Sequence, residues 1–175
     1  GYDRTNTVLS AGNDILWRIA TTKAIDPKPG ERILDIACGT GDLSEAFVRG
    51  SPASRILGID FTPEMLEIAR VKRARLPEAL AARLEYQEGD AQALPVESAS
   101  FDIASIAFGI RNVGDPAAAI AEFARILRPG GRLVILEFCR PSIAPVRCPS
   151  ASSPPTTRSP CGPRATSAGC SMPAS

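Results

Sequence analysis

Five short apolar runs, each followed by a segment of different period, leave this chain few folds to choose from. The runs are RILDIA (32–37), RILGID (55–60), RLEYQEG (83–89), FDIASIAFG (101–109) and RLVILEF (132–138). Their continuous apolar character predicts strands buried on both faces, as in a parallel sheet. Helical patterns lie between them. TPEMLEIARVKRA (62–74) offers Thr62 as N-cap, Pro63 at the first helical position and Glu64 in the first turn. DPAAAIAEFARILR (115–128) repeats the device with Asp115 and Pro116, and PGG (129–131) ends it. A helical stretch at about 13–24, containing Trp17, precedes the first strand. Strand alternating with helix in this way predicts an α/β fold with a doubly wound, mostly parallel sheet.

The pattern stops near Pro141. Residues 142–175 hold eight Ser, seven Pro, three Cys and three Arg, and none of the 19 acidic residues. Such a segment cannot bury enough apolar surface to offset the ordering of its backbone, so it is expected to be disordered. The expected division is a domain over 1–141 and a Pro/Ser-rich tail over 142–175. A genuine tail and a GC-rich gene read in a shifted frame both account for that composition. The abrupt loss of acids and of periodicity favours the shifted frame.

A formal net charge of +1 gives no reason to expect a nucleic-acid partner. The sequence holds no apolar run of about 18 residues and no charged-then-apolar leader, and it opens on GYDRTN without a Met. Cysteines at 38, 139, 148, 161 and 170 form no C-x-x-C pair, and His is absent, so no metal site is expected. Cys38 and Cys139 read as small buried thiols in a reducing compartment.

The chemistry is expected at ILDIACGTGDL (33–43), where the first strand meets a glycine turn. In a doubly wound sheet this turn faces the crevice that binds ligands. Gly39 and Gly41 let a ligand approach the main chain around Thr40. A G-x-G pair alone is weak, because plain strand–helix turns carry it by chance. Asp60, ending the second strand about 20 residues later, strengthens it, since a carboxylate there accepts ribose hydroxyls. It also reads as a cap for the helix after Thr62. Ser44 stands where a dinucleotide site would have its third Gly, and Asp42 at the helix start opposes a pyrophosphate. Neither opposes S-adenosylmethionine, whose ammonium and sulfonium suit Asp35 just before the turn. Asp35 reads equally as a strand-end carboxylate satisfied by backbone donors. In GDAQALP (89–95), Asp90 reads either as an acceptor for an adenine amino group or as an Asx-turn.

LDIACGTGDL, GIDFTPEMLEIAR, EGDAQALPVESASFD, IAFGIRNVGD and ILRPGGRLVILEF together resemble the successive motifs of a Rossmann-like class I S-adenosylmethionine-dependent methyltransferase. With FGIRNV and the opening YDRTN, residues 2–141 are similar to the demethylmenaquinone/ubiquinone-pathway C-methyltransferase family. That resemblance implies S-adenosylmethionine as cofactor and a polyprenylated quinol as substrate. It places cofactor contacts at Thr40, Asp60, Asp90, Ala91 and Ala107, the last where relatives often carry Ser. It also implies a lid containing Tyr2, Asp3 and Asn6, a cytoplasmic location and transient contact with the inner face of a membrane. Naphthoquinol and benzoquinol both remain open, as does oligomeric state.

With no His available, Arg111 and Asn112, and Asp115 beyond them, are the expected helpers in deprotonating a ring hydroxyl. Arg111 also reads as a surface ion pair. The family continues with two more strands after its EFSRP-like segment, whereas here EFCRP leads into the tail. The fifth strand is then expected to lie at an edge. Two other readings stay open: a defunct fragment that binds S-adenosylmethionine at most, and, disfavoured by Ser44 and Asp42, a nicotinamide-dependent oxidoreductase.

Overall fold

A computed structural model describes residues 13–51 and 55–137. The chain divides between Arg140 and Pro141, and every described residue belongs to the first unit. The expected tail, Cys139, and the N-terminal Tyr2, Asp3 and Asn6 lie outside the described residues.

Helix α1 (Asn13–Ile25) leads into β1 (Arg32–Ile36), α2 (Asp42–Gly50), β2 (Arg55–Asp60) and α3 (Pro63–Arg73). A one-turn helix α4 (Glu78–Ala81), β3 (Leu84–Glu88) and β4 (Phe101–Ala107) follow. A 3₁₀ turn (Ile110–Asn112), α5 (Pro116–Ile126) and β5 (Leu127–Leu136) complete the described chain. All five strands are parallel, in the order β3-β2-β1-β4-β5. The doubly wound sheet expected from the sequence is therefore present. Its direction of winding reverses between β1 and β4, which opens a crevice at their carboxyl ends.

Helices cover both faces because the strands alternate between two cores. Leu34, Ile36, Ala104 and Ile106 point toward α5, whose Ala119, Phe123 and Ile126 recur at helical spacing. Ile33, Ile56, Leu84 and Ile103 point the other way, against Ile25 of α1 and Phe47 and Val48 of α2. Each such side chain removed from water contributes about 1.5–3 kcal/mol. One row on the α2 face breaks the apolar rule. In register it reads Tyr86, Gly58, Asp35, Ser105 and Val134 across the five strands.

Asp115 caps α5 as expected, its Oδ1 accepting from the amides of Ala117 and Ala118 at 2.9 and 3.1 Å. Thr62 takes the N-cap position of α3 without a side-chain bond, and its own amide donates to Asp60. Burial on both faces holds for the inner strands only. β3 and β5 end the sheet and expose Glu85, Glu88, Leu133 and Ile135. β5 also begins earlier than the apolar run predicts. Leu127 pairs with Phe101, and the register then jumps so that Arg132 pairs with Ile103. The extra residues bulge outward through Gly130 at φ 83°.

Candidate active site

A cavity of about 950 Å³ opens at the carboxyl ends of β1, β2 and β4. The glycine turn forms its floor. Gly39 and Gly41 adopt φ of 56° and 79°, the left-handed region that glycine permits. The turn is fastened from inside: the Cys38 amide donates to the Ile59 carbonyl at 3.0 Å and the Gly41 amide to the Cys38 carbonyl at 2.9 Å. The Gly39 amide donates to Asp60 Oδ2 at 2.7 Å, and the Thr62 amide to Asp60 Oδ1 at 2.8 Å. Asp60 thus locks two loops together while lining the cavity; it reaches the N-cap residue Thr62 but none of the helix's own first-turn amides, so it does not cap α3.

Ala37 also sits at positive φ, 53°, one residue past β1. A side chain there costs roughly 1–2 kcal/mol. Its Cβ fills space that only a glycine leaves open across the crevice: a Cβ on Gly109 would lie 2.6 Å from it. Phe108, at φ 55°, turns into the cavity and packs against Trp17 of α1, ring centroids 6.0 Å apart. Trp17 thereby brings α1 to the rim.

Asp35 is buried beneath the turn. Its oxygens accept from two hydroxyls, Ser44 Oγ at 2.6 Å and Ser105 Oγ at 2.9 Å, alongside a backbone donor, the Ser44 amide. Burial raises its pKa to about 6, against the lowering effect of both serines. Ser44, which the sequence showed only as a missing glycine, therefore has a partner that fixes α2 on β1. Burial likewise pushes the Cys38 thiol upward, which suits a packed thiol and not a nucleophile.

Asp42 does not present the bare negative charge expected of it. Its carboxylate pairs with Arg18 of α1 at 3.1 Å and with Lys72 of α3 at 2.7 Å. Lys72 also donates to Thr40 Oγ1 at 3.0 Å. An argument against pyrophosphate that rests on the sign of Asp42 therefore fails. A better one comes from the turn itself, since the Gly39 and Gly41 amides are already bonded within the chain.

On the β3 side, Asp90 forms the expected Asx-turn, its Oδ1 accepting the Gln92 amide at 2.9 Å, and it lines the cavity beside Ala91. Gln92, which the sequence did not flag, reaches onward: its Oε1 accepts the Asp115 amide at 2.9 Å. It thus ties the loop after β3 to the start of α5. Ala107, Arg111 and Asn112 line the wall after β4. The Arg111 guanidinium lies 3.3 Å from Glu137 Oε1, donates to the Phe108 carbonyl at 3.3 Å, and stacks 5.8 Å from the Phe108 ring. The ion-pair reading is present, and the group still borders the cavity. Asp115 is spent on its cap and lies outside the lining, which removes it as a helper.

A doubly wound sheet with a glycine turn, Asp60 at the end of β2 and a crevice between β1 and β4 is the Rossmann-like architecture that class I methyltransferases share. Residues 1–151 match the ubiE/COQ5 methyltransferase family, and the chain belongs to it. It is 47% identical over 146 residues to the demethylmenaquinone methyltransferase of Clavibacter sepedonicus, covering 83% of this chain and 57% of that one. It is 44% identical over 137 residues to the ubiquinone/menaquinone biosynthesis C-methyltransferase UbiE of a Ruegeria species, covering 78% and 54%. Among solved structures it resembles an S-adenosylmethionine-dependent methyltransferase of Mesorhizobium loti, 30% identical with a TM-score of 0.56, covering 66% and 51%. The chain spans little more than half the length of the curated relatives it matches.

Proposed function

We propose that this chain carries the cofactor site of an S-adenosylmethionine-dependent C-methyltransferase that acts on the ring of a polyprenylated quinol in respiratory quinone biosynthesis. The observation that carries the reading is the sign of the cavity wall. Asp35, Asp60 and Asp90 place carboxylates along the wall, and the Gly39 and Gly41 amides of the turn are bonded within the chain. Ribose hydroxyls, an adenine amino group, an ammonium and a sulfonium all match such a wall; the negative pyrophosphate of a dinucleotide does not. In this reading Asp60 takes the ribose, Asp90 and Ala91 border the adenine, and Gly39, Thr40 and Gly41 lie beneath the amino-acid portion. Ala107 contributes shape alone, with no hydroxyl to offer.

The bound cofactor supplies an electrophilic methyl group on sulfonium. The protein supplies alignment, exclusion of water and charge. Arg111, held by Glu137 and Phe108, stabilises the ring oxygen as its proton leaves to water, which makes the neighbouring carbon nucleophilic. Asn112 orients the same oxygen. Names of the relatives divide between demethylmenaquinone and ubiquinone/menaquinone enzymes, so the ring is a naphthoquinol or a benzoquinol. Phe61, 74% exposed at the lip, and Trp17 give the rim an apolar edge suited to a prenyl chain at a membrane surface. Among the described residues no helix is long and apolar enough to cross a membrane.

The test is a calorimetric titration of the 175-residue chain with S-adenosylhomocysteine, with NADH as control. Saturable binding of the first alone is expected. Binding of NADH, or of neither, overturns the reading.

A further inference from the structure

The loop between β3 and β4 is fastened to α5 by two kinds of contact. Away from the cavity lining, the Leu94 amide donates to Glu122 Oε2 at 2.8 Å, and the Arg125 guanidinium donates to the Leu94 and Val96 carbonyls at 3.1 and 2.9 Å. None of those four residues borders the cavity. Gln92 does, together with Asp90 and Ala91. Its carboxamide is engaged at both ends. Oε1 accepts the Asp115 amide at 2.9 Å, and Nε2 donates to Asp90 Oδ1 and Oδ2 at 3.2 and 3.4 Å. The partners decide which end is which, because a backbone amide only donates and a carboxylate only accepts.

Together these bonds orient the Asp90 carboxylate. The Gln92 amide donates to Oδ1 at 2.9 Å, which alone would let the group swing about that oxygen. A second donor that reaches both oxygens fixes its plane. Oδ1 takes the two shorter bonds, so Oδ2 is the oxygen with acceptor capacity to spare. The second donor is anchored in turn by the amide of Asp115, whose own carboxylate caps α5 through the Ala117 and Ala118 amides. A carboxylate set in this way suits an exocyclic amino group, which donates. It opposes a carbonyl in the same place, which only accepts.

We infer that Gln92 is a positioning residue for recognition of the adenine ring: it holds Asp90 so that Oδ2 accepts from the 6-amino group, and thereby sets a preference for adenine over hypoxanthine. This rests on reading the cavity as an S-adenosylmethionine site with Asp90 at the adenine.

The experiment compares S-adenosylhomocysteine with S-inosylhomocysteine, in which a 6-oxo group replaces the 6-amino group. Both are titrated calorimetrically into the 175-residue wild type, Gln92→Met and Gln92→Leu, with thermal melts alongside. The wild type is expected to bind S-adenosylhomocysteine about tenfold or more tightly than the inosine analogue. Gln92→Met, which offers neither bond, is expected to weaken S-adenosylhomocysteine roughly tenfold and the inosine analogue by about twofold at most, so that the preference collapses. A loop that was merely loosened would weaken both ligands alike and keep their ratio. Equal losses, or no loss for either ligand, therefore overturn the inference, as does a wild type that binds both equally; each of these leaves the cofactor site standing. A wild type that binds neither ligand overturns the cofactor reading and this inference with it. Should Gln92→Met fail to fold, Gln92→Leu makes the same comparison.

Discussion

Tyr86 lies flat across Gly58. The two are register partners on β3 and β2, and a Cβ on Gly58 would sit 2.6 Å from Tyr86 Cδ1. The phenol thereby crosses β2 and donates to the Gly41 carbonyl at 3.3 Å, supporting the glycine turn from beneath. Burial holds the phenol protonated by raising its pKa. Gly58 is needed for the space above it, since its backbone lies in an ordinary strand.

Gly58→Ala is therefore expected to push Tyr86 out from under the turn. Overpacking of this kind costs about 1–3 kcal/mol, readable as a lower urea midpoint at unchanged slope. A wild-type midpoint would show that the ring moves aside freely.

Asp35 makes a pH signature. Its folded pKa of about 6 exceeds its ordinary value of 3.8, so the folded state holds the proton more tightly. The associated stability is present below pH about 4 and is lost as pH rises through about 6, up to about 3 kcal/mol for a shift of this size. Asp102 and Glu122 are shifted downward by their arginines and backbone donors, and so act in the opposite sense. The clean observable is the difference in melting temperature between wild type and Asp35→Asn. In the variant that component vanishes, so its advantage over wild type grows from pH 4 to pH 6 and then levels off.

Asp60 is expected to matter twice, as acceptor for the turn amide and as the ribose contact. Asp60→Ala loses S-adenosylhomocysteine binding by roughly a hundredfold, and Asp60→Asn, which keeps one acceptor oxygen, by about tenfold. Calorimetric titration of the two variants side by side gives the order, and a reversed order would contradict the assignment.

The contact between Ala37 and Gly109 gives a double-mutant test. Gly109→Ala drives two Cβ atoms to 2.6 Å and is expected to cost about 1–3 kcal/mol. Ala37→Gly alone stays near neutral, because relief of its positive φ offsets the added freedom of the unfolded chain. Combining the two should recover most of the loss, giving a coupling of about 1 kcal/mol or more. Simple additivity would mean the backbone shifts to separate them.

Arg111→Ala is expected to leave S-adenosylhomocysteine affinity within about twofold and to cut quinol methylation about a hundredfold or more. A matched fall in both would recast Arg111 as a structural ion pair with Glu137.

What the sequence revealed was local. Strand runs, the Pro-led helix starts, the Asp115 cap and the two left-handed glycines depend on residues within a few positions of one another. So does the pairing of a glycine turn with an acid about 20 residues on. What stayed hidden depends on contacts across the fold. Ser105 reaches Asp35 over 70 positions, Lys72 reaches Thr40 over 32 and Gln92 reaches Asp115 over 23. Ala37 was illegible for another reason: alanine carries no signature of positive φ, so only the built backbone exposes it. The early start of β5 was masked because its first paired residue, Leu127, also completes an apolar helix stripe.

The strand order also governs how the molecule assembles. Because every pairing among the five described strands is parallel, none of these strands closes on its neighbour through a hairpin. β1 and β2 meet after 23 residues, whereas β1 and β4 must find each other across 70. Long closures are the slow ones. The seam between β1 and β4 is thus the costliest join in folding, and it is the seam on which the cavity opens. Any molecule held there bridges an early-forming half of the sheet to a late-forming one, and each bound ligand counts as one more cross-link against the two coming apart.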